Sequence, residues 1–301
     1  MARHHHLALT DGDLDVFRWL WMLRVMTLDQ IRRARYFQAD TGRLSSLDNV
    51  RKRLKRLWDA GYLKGDRLLE THERVYFLAQ AALAPLRECH GIEQRALYQP
   101  RGFDTMQQLL HPLLVSECAV RITEALRGTE MTLVDLPPYG VPFYHTHTVG
   151  NPSAKKHVRR FVTQEDVDVP GEGSLRIRPD LVFALAEGDA SRLFFLEADR
   201  DTESPKEIAR KQLGYAAYAA APDPTLPNRL RWHRYGVIRD CRVLLLTTST
   251  RRVERLSSYL RAKPGFDLLA ITSIEAVKDK NIVFDGVWTT AHGPHRPLAQ
   301  T

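Results

Sequence analysis

Residues 45–78 constrain this chain's fold more than any other stretch. A strongly basic amphipathic segment runs directly into two short strand-like runs. Ser45 and Ser46 stand where a helix N-cap belongs, and Gly61 stands where a helix stops. Between them Leu47, Val50, Leu54, Leu57 and Trp58 recur at helical spacing, which predicts a helix over 46–60 with one buried stripe. The opposite face carries Asn49, Arg51, Lys52, Arg53, Lys55 and Arg56. The runs 62–69 and 75–78 predict a hairpin that offers Lys64, Arg67 and Arg74. Long cations on an exposed face suit phosphates, and Asn and Arg also hydrogen-bond base edges. These nine residues form the candidate DNA-binding set, and the implied partner is double-stranded DNA. The alternatives are a solvated helix face or a surface for another protein.

Two upstream segments complete a module. Thr10 caps a predicted helix with Leu14, Phe17, Leu20, Trp21 and Leu23 on its apolar side. Thr27 caps a shorter one with Leu28, Ile31, Ala34 and Phe37. Helix, short helix, basic helix and hairpin is the order of a winged helix-turn-helix. Charge agrees: residues 1–79 hold 15 Lys and Arg against 10 Asp and Glu, so most of the chain's net +8 lies there. Winged helices often bind two-fold sites in pairs, which implies a homodimer.

With 301 residues there is room for a second core. A closing helix is expected over 80–89, a linker over 90–103 and a helix over 104–127, with Pro112 beginning or bending it. From 131 onward the periodicity becomes strand-like, at 131–136, 159–169, 175–177, 181–185, 193–198, 242–247 and 268–271. Helices are expected over 205–221 and 250–262. The run LFFLEA at 193–198 is apolar on both faces, as in a central covered strand. The expected fold is therefore α+β with two domains: a winged helix over 1–89, an α/β domain with a mixed sheet over 104–288, and a flexible tail over 289–301. The stretch 137–157 gives no clear periodicity.

Acidic residues gather at predicted strand ends. Asp180 opens one strand, and Glu197 and Asp199 close the next. Residues two apart on a strand share a face, so Glu197 and Asp199 project together, and Asp180 joins them if the strands are neighbours. Three such carboxylates are candidate ligands for Mg²⁺, which could activate water against a phosphodiester. The bland alternatives are a pairing of Glu197 with Arg178 or Arg200, and a polar turn at 199–202 with Thr202 or Ser204 capping the next helix.

Asp180 and Glu197 on successive strands, followed by a helix, resemble the PD-(D/E)xK nuclease superfamily. That resemblance implies a nuclease-like fold with catalytic Asp180, Glu197, Asp199 and Lys211, and with Glu117 as an optional extra acid. The sequence departs from the pattern at Asp199, where lysine is expected; Lys211, beside Gln212, is the replacement candidate, ahead of Lys206. Over roughly 8–260 the chain resembles more closely the replication-relaxation family, whose E-x-D-x-x-T-E run is matched by Glu197, Asp199, Thr202 and Glu203. This resemblance implies a double-stranded DNA-binding protein of a plasmid or mobile element, acting in replication or relaxation. The alternatives are an Mg²⁺-dependent endonuclease and a transcription regulator whose second domain senses a ligand.

Other features carry less. His145 and His147 alternate on a possible strand without a third zinc ligand nearby. Lys155, Lys156, Arg159 and Arg160 form a basic patch suited to phosphates or to solvent, and His4–His6 are assigned no role. No GxxxxGK[ST] or GxSxG run occurs, which argues against a P-loop NTPase and a serine hydrolase. Three scattered cysteines, no signal-peptide core and no membrane-length apolar run imply a cytoplasmic protein.

Overall fold

A computed structural model describes residues 7–38, 41–68, 71–90, 106–137, 140–145 and 165–300. The described residues form two compact units that divide between Val120 and Arg121.

The first unit runs α1 (Asp11–Leu23), β1 (Met26–Thr27), α2 (Leu28–Arg35), β2 (Phe37–Gln38), β3 (Arg43–Leu44), α3 (Leu47–Asp59), β4 (Leu63–Arg67), β5 (Arg74–Leu78) and α4 (Leu83–His90), and includes α5 (Met106–Ala125) as far as Val120. Local chemistry sets the boundaries. Thr10 with Asp13, and Thr27 with Gln30, form reciprocal capping boxes at α1 and α2. The Ser46 hydroxyl accepts the Asn49 amide at 3.2 Å to start α3, and Gly61 ends it at φ +81°. Strands β1, β5 and β4 pair in that order into a three-stranded sheet. Phe17, Leu20, Trp21, Val50, Leu54 and Leu57 are buried beneath the helices.

Three expectations need correction here. Leu47 lies outside the buried stripe, being 41 % exposed at the first position of α3. Helix α2 stops at Arg35, so Phe37 lies in a small β2–β3 hairpin and not on that helix. The expected linker over 90–103 lies, beyond residue 90, outside the described residues; Leu109 and Leu113 of α5 bury with Val25, Leu68 and Val75 in the first unit. Glu117 consequently serves this unit: both its oxygens accept from Arg33 at 3.0 Å.

The second unit continues with β6 (Thr132–Leu133), β7 (Tyr144–His145), β8 (Glu165–Val169), β9 (Gly173–Ile177), β10 (Leu181–Glu187), β11 (Ala190–Asp199), α6 (Pro205–Ala220), β12 (Asp240–Thr247), α7 (Thr250–Leu260), β13 (Leu269–Ser273), β14 (Trp288–Thr290) and β15 (Gly293–Arg296). Its main sheet has the order β15-β14-β13-β12-β11-β10-β6, with β7 also on β10. The β11–β12 and β12–β13 pairs are parallel, while β10–β11 and β13–β14 are antiparallel, so the sheet is mixed. The LFFLEA strand, β11, is central and buried along most of its length, as its doubly apolar pattern requires. Helix α6 is the crossover from β11 to β12, and it packs on the β8–β9 hairpin. A Cβ at Gly214 would come within 3.0 Å of Ile177.

The segment 289–301, expected to be a flexible tail, is instead ordered by burial through residue 300. Strand β15 pairs with β14, Leu298 is fully buried, and the Ala299 amide donates to the Val283 carbonyl at 3.1 Å. Among the described residues no helix is long and apolar enough to cross a membrane.

Candidate functional site

The acidic site is built by the crossover. Ser204 accepts the Glu207 amide at 3.2 Å, Glu207 answers to the Ser204 amide at 2.6 Å, and Pro205 opens α6. That start brings Lys211 and Tyr215, one turn apart on one helix face, against the end of β11. The antiparallel partner β10 delivers Asp180. Its amide donates to the Leu196 carbonyl at 2.8 Å, and its Oδ2 accepts the Ala198 amide at 2.9 Å.

Glu197, only 6 % exposed, is gripped on both oxygens. Lys211 Nζ donates to Oε2 at 2.8 Å, and the Tyr215 hydroxyl donates to Oε1 at 2.5 Å. Lys211 also reaches Glu203 at 2.7 Å, so one ammonium joins the first and last acids of the E-x-D-x-x-T-E run. Burial, and then the charge of Asp180, push the Glu197 carboxyl up to about 7 against the pull of Lys211. Burial opposes the Lys211 charge, but Glu197 and Glu203 outweigh it and raise the ammonium above its ordinary value. Burial and the neighbouring Glu197 push the Tyr215 phenol well above its usual range. Glu197, Glu203, Lys211, Gln212 and Tyr215 line a recess of about 20 Å³, room for roughly one water. Gln212, beside Lys211, donates instead to the Lys263 and Pro264 carbonyls, at 3.2 and 2.8 Å.

Asp199 has a different partner. Arg252 of α7, buried like Asp199 itself, contacts Oδ2 through Nε at 2.8 Å and through Nη2 at 2.7 Å. The same guanidinium donates to the Glu203 carbonyl and approaches Asp201 at 3.4 Å. Asp201 adopts φ +61° and accepts from the Thr248 hydroxyl at 2.9 Å. Asp199 and Arg252 therefore anchor the loop between β11 and α6.

Asp180, Glu197 and Lys211 thus converge as the sequence implies, while Asp199 is drawn into a separate ion pair. This geometry does not fit a divalent cation. Both Glu197 oxygens and the Asp199 carboxylate already hold protein cations or donors. Among the described residues no group of three His, Cys, Asp or Glu is placed to hold a metal. Sequence reasoning missed Tyr215 and Arg252. The i, i+4 spacing of Lys211 and Tyr215 is a local signal for the first; no local signal marks Arg252, which lies 53 residues from its partner.

The candidate DNA-binding residues of the first unit fall into three groups. Asn49, Lys52, Arg56, Lys64 and Arg67 are exposed, and among the described residues the charged side chains of these five make no ion pair. Arg51 and Lys55 are exposed but pair with Asp48 and Asp59, each at 2.7 Å. Arg53 and Arg74 are half-buried. Arg53 Nε donates to Asp13 Oδ1 at 2.7 Å, its Nη2 meets Oδ2, and Asp13 is almost wholly buried. Arg74 stacks over Trp58 at 5.1 Å, and Trp58 meets Tyr76 edge-on at 6.3 Å. The hairpin is seated on this tryptophan, since a Cβ at Gly65 would fall 2.6 Å from its ring. His147, Lys155, Lys156, Arg159, Arg160 and His4–His6 lie outside the described residues. His145 lies in β7, opposite Leu181.

A family model described as Replication-relaxation matches residues 17–228. The chain belongs to the replication-relaxation family. No curated protein and no solved structure matches it. The replication-relaxation match takes in α3, the β4–β5 hairpin and the whole Asp180, Glu197, Glu203, Lys211 and Tyr215 cluster. Arg252 lies beyond it.

Proposed function

We propose that this replication-relaxation protein binds double-stranded DNA through its first unit, a winged helix, in the replication or relaxation of a plasmid or mobile element. In this reading α3 enters the major groove and the β4–β5 hairpin lies against the backbone as the wing. The observation that carries it is that Lys52 and Arg56 on α3 and Lys64 and Arg67 on β4 are exposed and, among the described residues, make no ion pair. Cations not neutralised by protein carboxylates are available to phosphates, and Asn49 on the same helix has the donor–acceptor pair that reads adenine. The family assignment agrees with this partner.

The second unit is read as a PD-(D/E)xK nuclease-like fold in which Lys211 and Tyr215 lock Glu197, and no metal-dependent step is assigned to it. Two measurements test these readings. A labelled duplex should be retarded in a gel by the full chain, with affinity falling steeply as salt rises. Absence of binding, or binding indifferent to salt, would remove the DNA assignment. Supercoiled plasmid should stay intact with the protein and Mg²⁺ or Mn²⁺; nicking that disappears in Asp180→Ala would restore the nuclease reading.

A further inference from the structure

Helix α7 has a second basic face, which no step above uses. Val253, Leu256 and Leu260 bury one side of it, and Arg252 turns inward to Asp199. The opposite side leaves Arg251, Glu254, Arg255, Ser258 and Tyr259 exposed, and Arg261 and Lys263 follow it, also exposed. Four cations thus stand against one acid. Among the described residues Arg251, Arg255 and Arg261 make no ion pair, whereas α3 neutralises two of its own cations with Asp48 and Asp59. At the helix start Glu275 is held by the Thr250 amide at 2.9 Å and hydroxyl at 3.1 Å, and Asp201 by the Thr248 hydroxyl at 2.9 Å. Tyr259 is 41 % exposed, among the few large side chains left in solvent, and Lys263 Nζ lies 5.5 Å from its ring centre.

We infer that the exposed face of α7 is a binding surface for single-stranded DNA, separate in its residues from the duplex-binding face of α3. The unneutralised arginines point to a polyanion. The exposed tyrosine among them selects the form of that polyanion. A duplex keeps its base faces stacked internally and gives an aromatic ring nothing to stack on, whereas a single strand presents phosphates and free base faces together. Arg251, Arg255 and Tyr259 recur every four residues, so they follow one another along a single edge of the helix. The arginines hold the backbone, and Tyr259 takes a base.

Fluorescence anisotropy of the full chain with a labelled oligothymidine about 30 nucleotides long, beside a labelled duplex, tests this. Arg251→Ala/Arg255→Ala should weaken single-strand binding by roughly tenfold or more and flatten its salt dependence by about 1.4 in log–log slope, with duplex binding unchanged. Tyr259→Ala should weaken single-strand binding by about tenfold, and Tyr259→Phe should restore it, since stacking needs the ring and not the hydroxyl. Circular dichroism and unchanged melting of each variant show that the fold is intact. Wild-type single-strand binding in the arginine variant would overturn the inference. An equal loss on duplex and single strand would overturn the single-strand assignment, and a Tyr259→Ala variant that binds normally would do the same. Loss of duplex binding on changing α3 concerns the first unit's function and leaves this test independent of it.

Discussion

Helix α3 of the first unit and helix α6 of the second carry cations to opposite ends. On α3, Lys52 and Arg56 are exposed, and among the described residues neither makes an ion pair. On α6, Lys211 turns onto Glu197 and Glu203 and is held there. The same contrast occurs between neighbours. Arg53 bonds buried Asp13 while Lys52 faces solvent; Arg252 bonds buried Asp199 while Arg251 faces solvent. A cation on an amphipathic helix is thus assigned by the acid that the fold delivers, not by the residue type. An inward cation fixes a loop or a helix, and an outward one remains available to a partner.

The comparison breaks most visibly at Arg252. Arg252→Ala leaves Asp199 buried without a counter-charge and should cost about 3–5 kcal/mol in chemical denaturation of the full chain. A loss below about 1 kcal/mol would mean the pair does not anchor the loop. Arg53→Ala should cost about 3 kcal/mol for the same reason, somewhat less than Arg252 because its guanidinium is partly solvated. Its effect should depend on pH. Burial alone would raise the Asp13 carboxyl, but the bonds from Arg53 and Thr10 outweigh it and hold that carboxyl below its ordinary value. The stability from this pair is therefore present above the ordinary carboxylate range and is lost as pH falls through the lowered value.

Gly65→Ala should cost about 1–3 kcal/mol, because the new methyl meets the Trp58 ring and the Val75 carbonyl, and it should weaken duplex binding by displacing the hairpin. Unchanged melting would show that the hairpin is not seated on Trp58. A further test concerns Glu197, where the sign is reversed. Its carboxyl is raised from 4.5 to about 7, so the folded chain binds the proton more tightly than the unfolded chain. That contribution is complete below the ordinary value and disappears as pH rises through about 7. Carboxyl ¹³C NMR should place the Glu197 midpoint near there, and Lys211→Met should move it higher still. A midpoint in the ordinary glutamate range would contradict the buried cluster.

Much of the fold was legible because local rules and the tertiary result agree. Thr10, Thr27, Ser46 and Ser204 cap the helices they precede, and the doubly apolar 193–198 run occupies the sheet centre. The outward cations of α3 were legible from spacing alone. Arg53 was not, since its inward turn depends on Asp13, 40 residues earlier on another helix. The convergence of Asp180, Glu197 and Lys211 was legible as a motif. The capture of Asp199 by Arg252 was not, because that partner arrives from beyond the next strand. The ordered 289–300 segment was missed because its polar, Pro- and Gly-containing sequence has no periodicity. Its order rests on the burial of Leu298 and the pairing of β15 with β14.

The central claim, that the outward cations of α3 hold duplex DNA while the inward one holds the helix, is tested most directly by the salt dependence of duplex binding in Lys52→Ala/Arg56→Ala beside wild type. Loss of about two phosphate contacts should reduce the log–log slope by about 2, with melting temperature unchanged. An unaltered slope with a lowered melting temperature would show that these side chains support the fold and do not meet the nucleic acid.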